Sequence, residues 1–177
     1  MSVERGLQTY NKVSTKQLTT TGVLIALNLV LNQLTISFGT MLEIGLAFLP
    51  IAVLAYMYGP MNAGIAASVA DVFGFILRPN GFFFPGFTLN ACIMGIIYGI
   101  ILHKKKITLL RVALATLLVT IIVNLILTPI WLNIMYGSAL FAVPRVVKAV
   151  LLYPVEVGLL YTLLANFKKL ELRRKNG

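Results

Sequence analysis

The chain has 177 residues, of which 59% are hydrophobic and 11% charged, with a mean hydropathy of +0.92. A soluble domain carries about 25% charged residues, so this composition excludes a soluble globular protein. A helix that crosses a bilayer needs ~20 mostly apolar residues, which leaves room for about six. We therefore predict one all-α membrane domain over residues 1–177, made of a basic segment (1–17), a six-helix bundle (18–167) and a basic tail (168–177).

The apolar runs and the turns between them give the predicted spans in chain order. These spans are 18–35, 45–58, 61–77, 87–102, 109–135 and 144–167. Gly59-Pro60 predicts a tight turn, and 78–86 an aromatic loop rich in Gly and Pro. A basic loop at 103–106 and a loop at 136–143 complete the order.

Positive charge is concentrated at both ends of the chain and in the loop 103–106. Twelve of the 15 Lys and Arg lie at or near these three places. With six spans, all three fall on one side of the membrane, which the positive-inside rule assigns to the cytoplasm. The net charge of +10 is thereby explained by topology, and no aromatic-rich polar face supports nucleic-acid binding.

The positive-inside rule does not explain the positions of three cations: Arg78, Arg145 and Lys148. Arg145 and Lys148 are three residues apart and share one helical face. They follow Pro144, which suits a first helical turn with its partial positive charge. The pattern predicts an anion site that faces outward, and the alternative is that the side chains reach out to lipid headgroups.

Two acids lie inside predicted spans, and a buried acid needs a partner or a ligand. Asp71 in span three can accept two adjacent N–H donors of an amino-heterocycle, or it can form an internal ion pair with Arg78 or Lys148. For Glu156 in span six a structural role is favoured, because nearby Pro154 frees a backbone group that polar residues must satisfy.

Small residues recur at four-residue spacing and predict close helix packing. In spans three and four, residues such as Ala63, Ala67, Gly95 and Gly99 indicate packing within the bundle. The Gly22 and Ala26 face of span one indicates either such packing or contact with another protein.

No Walker A motif, metal-ligand spacing or nucleophile–base pairing is present in the sequence. We therefore expect no catalytic residue, no metal and no cofactor. We interpret the chain as a ligand-binding protein with a charged pocket that faces outward, and we expect any energy that its function requires to come from another protein.

A family resemblance rests on Gly81-Phe82-Phe83-Phe84-Pro85-Gly86-Phe87-Thr88-Leu89-Asn90, followed by Gly95-Ile96-Ile97-Tyr98-Gly99. The segments 49–51, 58–60, 70–74, 144–148 and 153–156 support it. Together they resemble the substrate-binding S components of energy-coupling factor (ECF) vitamin transporters, and most closely the folate-specific S component. The likeness extends from about Lys16 to Asn166.

The resemblance implies a bacterial cell-membrane protein that binds folate from outside and associates with a transmembrane coupling protein and two ATPase subunits. It implies a coupling-protein contact on the first helix, where Gly22-x-x-x-Ala26 stands in place of Ala-x-x-x-Ala. The chemistry of folate fits these charged and aromatic residues. The cations could neutralise the glutamate tail, the aromatic side chains could stack on the rings of the ligand, and the carboxylate could accept hydrogen bonds from the pterin. The candidate binding residues are Asp71, Arg78, Phe83, Phe84, Pro85, Gly86, Phe87, Thr88, Asn90, Arg145 and Lys148.

Other interpretations stay open at this point. One is an S component for another anionic aromatic vitamin, and another is a small proton-coupled homodimeric exporter with Asp71 or Glu156 as proton carrier. A membrane-embedded enzyme is disfavoured, because no catalytic constellation is present. The Phe82–Phe84 run has an alternative role of its own as a membrane-interface belt.

Overall fold

The computed structural model describes residues 14–34, 36–38, 42–79, 82–137 and 143–176, with side chains at 14–34, 45–79, 82–137 and 146–170. The helices are α1 Thr15–Gln33, α2 Phe48–Tyr58, α3 Pro60–Leu77, α4 Pro85–Leu102, α5 Leu109–Val119, a π-helical segment Thr120–Leu127, α6 Thr128–Tyr136 and α7 Val143–Asn176. Since α5, the π segment and α6 run on without a break, the described residues form six helical rods. The predicted count of six is confirmed.

Four of these rods are long and apolar enough to cross a bilayer within the described residues. They are Pro60–Leu77, Pro85–Leu102, Leu109–Tyr136 and Val146–Leu170, and α2 is a shorter apolar helix. Their outward faces carry apolar side chains such as Ile65 and Ile76, which are 61% and 65% exposed. Large exposed apolar surfaces of this kind are stable only in lipid.

A short antiparallel hairpin joins α1 to α2, in the stretch between the first two predicted spans, for which no element was predicted. β1 (Ile36–Phe38) pairs with β2 (Leu42–Ile44), with Ser37 opposite Glu43. The hairpin lies at the end of the bundle where α3 ends and α4 begins, which we call the site end. The other end, where α1 begins and α7 finishes, we call the basic end.

Local sequence signals explain most helix boundaries. Ser14 caps α1 by accepting from the Gln17 backbone N–H, and Thr108 caps α5 by accepting from that of Arg111. Gly59, at φ +85°, makes the turn between α2 and α3. The largest difference from the predicted bounds is in α7, which continues to Asn176 through the basic tail instead of ending near residue 167.

The core lies where α2, α4, α5 and α7 meet. Its largest fully buried side chains include Tyr98, Ile51, Leu54, Leu102 and Leu160. This packing fixes the relative positions of the central helices.

Helices α3 and α4 pack at backbone distance, as the small-residue spacing predicted. A methyl group on Gly95 would lie 2.6 Å from the Ala63 carbonyl oxygen, and one on Gly99 would collide with the Pro60 Cα. Only glycine permits this approach, which in lipid supplies van der Waals packing in place of a hydrophobic driving force.

We expect Gly99→Ala to destabilise the chain by roughly 2–3 kcal/mol, because the added methyl meets backbone that cannot rotate away. Denaturant unfolding of the purified chain in detergent measures the loss. Gly22→Ala is the matched control, since a methyl there meets nothing within 4 Å. Equal stability of the two variants would contradict the close α3–α4 contact.

Candidate functional site

A cavity of about 340 Å³ opens at the site end between α3, α4 and α6. We call it the aromatic cavity, and its described lining is Asn32, Asp71, Gly74, Phe75, Arg78, Phe82, Phe83, Phe84, Phe87, Leu132, Met135 and Tyr136. Five of these side chains are phenylalanines, and the charged ones are an acid and a base. Residues far apart in the sequence are therefore collected around one opening.

Asp71 is the acid of this cavity, half-buried on α3. One of its carboxylate oxygens accepts a 2.7 Å hydrogen bond from the Thr88 hydroxyl on α4. The partner that the structure gives Asp71 is thus a neutral hydroxyl, while Arg78 lies farther along the same wall. A carboxylate oriented by one donor retains further acceptor sites for a ligand.

Arg78 is the base of the cavity and the residue at which α3 ends. It lies seven residues after Asp71, which corresponds to a rise of about 10 Å along the helix. Its side chain is exposed, whereas that of Asp71 is half-buried. The cavity therefore has a carboxylate in its depth and a guanidinium at its rim.

Aromatic rings line the same cavity as these two charges. Phe84 contacts Phe87 edge-on at a centroid distance of 6.1 Å and Trp131 at 5.6 Å. Phe83 contacts Phe75 at 5.1 Å. Such tilted pairs are the favoured geometry for aromatic side chains and hold the rings in fixed orientations. Phe82, at 78% exposed, stands at the mouth.

The Phe-Pro-Gly segment turns directly into a helix. Pro85 and Gly86 were predicted as part of a loop, but they form the first turn of α4, where proline is well suited. Gly86 is buried beneath two rings, because a methyl group there would collide with Phe84 and lie 2.8 Å from Trp131 Cδ2. The absence of a side chain at Gly86 makes room for the Phe84–Trp131 pair.

Asn90 holds Trp131 in place. Its amide oxygen accepts from the Trp131 indole N–H at 3.0 Å, and its amide nitrogen donates to the Thr128 hydroxyl, also at 3.0 Å. Asn90 is only 6% exposed. This residue therefore positions the cavity wall and does not line the cavity.

A second cavity, of about 270 Å³, lies on the other side of this network. We call it the polar slot, and it is lined by Thr120, Asn124, Thr128, Lys148, Ala149, Leu152 and Glu156. Three polar residues at four-residue spacing face it from one rod. Lys148 and Glu156 face it from α7, about 12 Å apart along the helix axis.

The wall of the polar slot is the π-helical segment, which contains Thr120 and Asn124. A π-helix is rare and occurs frequently at functional sites. Charged side chains at this depth are costly in a membrane and are retained where they line a cavity or bind a ligand. Thr128 belongs to the slot and also bonds Asn90, so the network physically links the two cavities.

The structure separates the predicted site residues into groups. Asp71, Arg78, Phe83, Phe84 and Phe87 line the aromatic cavity, with Thr88, Gly86 and Pro85 supporting it. Lys148 lies instead in the polar slot. Arg145 belongs to the first turn of α7, and its side chain is outside the described residues.

Several residues of these sites were not singled out from the sequence: Thr128 and Asn124, which line the polar slot, and Trp131, which packs against Phe84. Each lies in a long apolar run whose pattern indicates only a membrane helix. One signal was present: Thr120, Asn124 and Thr128 are polar residues at four-residue spacing within that run, which places them on one face.

Comparison with known proteins assigns the family. Residues 16–167 match the family model described as ECF transporter, substrate-specific component. The chain is 38% identical over 136 residues to the folate transporter FolT of Clostridium novyi (strain NT), covering 76% of this chain and 79% of that protein. It is 36% identical over 165 residues to the folate transporter FolT of Leuconostoc mesenteroides subsp. mesenteroides, covering 89% of each.

A solved structure agrees with the sequence relatives. The fold superposes on the crystal structure of FolT bound with folic acid with a TM-score of 0.77 and 45% identity, covering 84% of this chain and 91% of that one. The resemblance inferred from the sequence motifs is therefore confirmed. The chain is a multi-pass membrane protein that belongs to the substrate-specific components of ECF transporters.

Proposed function

We propose that this chain is the folate-binding subunit of a vitamin uptake transporter and binds its ligand in the aromatic cavity. The observation that carries the proposal is the composition of that cavity, whose lining combines the half-buried Asp71, the exposed Arg78 and five phenylalanine rings. Folate has the complementary groups: a pterin with adjacent N–H donors, a benzoyl ring, and a glutamate with two carboxylates.

Each part of the ligand is assigned to one part of the cavity. Asp71 accepts from the amino group and ring N–H of the pterin. Phe84 and Phe87 stack on the aromatic rings. Arg78 pairs with the glutamate. Arg145 in the first turn of α7 and Lys148 in the polar slot add positive charge at the same end of the bundle.

The chain delivers the ligand to an ATP-driven coupling module. Gly22 and Ala26 are exposed on α1, and a methyl group on Gly22 would meet nothing within 4 Å. This small-residue face accordingly suits the coupling protein, while the corresponding faces of α3 and α4 are used inside the bundle. Both termini lie in the cytoplasm, as the basic clusters indicate.

Binding of labelled folate to the purified chain alone tests this function. We expect tight binding with no pH gradient and no ATPase present. Transport of folate should then require the coupling protein and its ATPases. Proton-dependent efflux by the chain alone would contradict the proposal and favour a small exporter.

The orientation of the ligand is tested with pteroate, which lacks the glutamate. We expect Arg78→Ala to weaken folate binding roughly 10-fold or more, from the loss of charge-assisted hydrogen bonds, and to leave pteroate binding much less affected. Arg145→Ala and Lys148→Ala are compared in the same calorimetric titration. Equal losses for folate and pteroate would contradict the glutamate assignment of the substituted residue.

A further inference from the structure

A cavity of about 740 Å³ lies at the basic end of the bundle, away from both cavities described above. Its walls come from the first turns of α1, the last turn of α2, the loop after α4 and the later part of α7. α1 and α7 each pack on α2, and the cavity occupies the gap between them. We call it the basic cleft, and the residues that matter for its chemistry are Lys16, Lys104, Tyr58, Met57, Phe167 and Leu170.

The charged side chains in the described lining of the basic cleft are all positive. Lys16 and Lys104 contribute to its lining, and none of its described lining residues is acidic. Within the described part of the chain, neither ammonium group has a hydrogen-bond or ion-pair partner, whereas the neighbouring Lys105 donates to the Ile100 carbonyl at 3.0 Å. Two unpaired cations on one opening attract an anion.

The backbone at Lys104 adds an independent observation. Lys104 has φ 54° and is the one residue other than glycine with positive φ in the described chain. That conformation costs free energy for a residue with a side chain, and such strain is concentrated at functional positions. Lys104, and not Lys105, contributes to the lining of the cleft.

The floor of the cleft is apolar. Met57 and Phe167, both partly buried, contribute to its lining together with Leu170, which is 64% exposed on α7. A ligand that fits must have an anionic head for the lysines and apolar chains for the floor and the opening.

We propose that the basic cleft binds the headgroup of an anionic phospholipid, with its acyl chains leaving between α1 and α7. The cleft lies at the helix ends, which is the depth of lipid headgroups, and basic pockets between membrane helices bind such headgroups in this position. Tyr58 fits the same interfacial level. The site concerns the lipid environment of the subunit and is separate from folate binding.

Native mass spectrometry of the purified chain with phosphatidylglycerol and phosphatidylcholine tests the proposal. We expect the chain to retain phosphatidylglycerol in preference. In the K16Q/K104Q double variant, the ratio of bound phosphatidylglycerol to bound phosphatidylcholine should fall roughly 10- to 30-fold, as expected for the loss of two charges near a headgroup. K105Q/K106Q is the matched control, because it also removes two positive charges from the basic end of the bundle, and it should retain the preference.

Three outcomes would overturn the lipid site. They are the absence of any preference for phosphatidylglycerol, an equal loss in both double variants, and full displacement of the lipid by millimolar inorganic phosphate. A K16Q/K104Q variant that keeps its lipid preference but no longer assembles with the coupling protein would assign the cleft to a protein partner instead. Folate binding by K16Q/K104Q should be unchanged, which keeps this test independent of the proposed function.

Discussion

Asp71→Asn is expected to weaken folate binding by roughly 10- to 100-fold, the effect of losing a charge-assisted pair of hydrogen bonds. The asparagine has nearly the same shape, so the cavity keeps its volume. Its amide nitrogen, however, would face the N–H donors of the pterin with a donor of its own. Isothermal titration with folate and with a simple pterin measures the loss, which should be similar for both ligands because both carry the same donor pair.

Thr88→Val is the control for this prediction. It removes the hydroxyl that donates to Asp71 at 2.7 Å while leaving the carboxylate charge in place. We therefore expect a smaller loss, roughly a few-fold, from a less well-oriented carboxylate. If Asp71→Asn leaves binding intact, the pterin assignment is wrong, and if it prevents folding, Asp71 has a structural role.

Gly86→Ala is expected to disturb the aromatic cavity through steric conflict alone. The added methyl collides with Phe84 and lies 2.8 Å from Trp131 Cδ2, so at least one ring must move. Overpacking of this kind costs about 1–3 kcal/mol, and part of that cost should appear as roughly 10-fold weaker folate binding.

The effect of Gly86→Ala can be observed optically, because Trp131 is the only tryptophan in the chain. We expect a shift in its emission maximum in the variant, and quenching on addition of folate in the wild type. Gly158→Ala is the matched control, since a methyl at Gly158 meets nothing within 4 Å. Unchanged emission and affinity in Gly86→Ala would contradict the packing of Gly86 beneath the two rings.

Much of the fold follows from the sequence because a bilayer allows few solutions. Span lengths and turn residues gave six helices, and small residues in spans three and four correctly indicated the α3–α4 packing, now located at Gly95 and Gly99. The hairpin between α1 and α2 was not predicted, because strands of three residues are too short to show the alternation of apolar and polar residues that identifies a strand. The helical continuation of α7 to Asn176 was not predicted either, because a run of basic residues resembles a tail.

The chemistry of the candidate site could be predicted from the sequence, but the positions of its residues in the fold could be predicted less well. Charges in apolar runs are conspicuous, so Asp71, Arg78 and Lys148 were identified from the sequence. Their division between the aromatic cavity and the polar slot depends on how the rods are rotated, which is set by tertiary packing. The π-helical wall could not be foreseen, because an apolar run contains no signal for an extra residue per turn.

The close contact of α3 with α4 holds two of the helices around the aromatic cavity in fixed positions. Asp71 and Thr88 lie on these two helices, whose backbones are in direct contact at Gly95 and Gly99. The carboxylate is thereby preorganised before any ligand arrives, which lowers the entropy cost of binding. α6, which contributes Leu132, Met135 and Tyr136 to the same lining, is therefore the helix expected to adjust around a ligand, while the α3–α4 pair stays fixed.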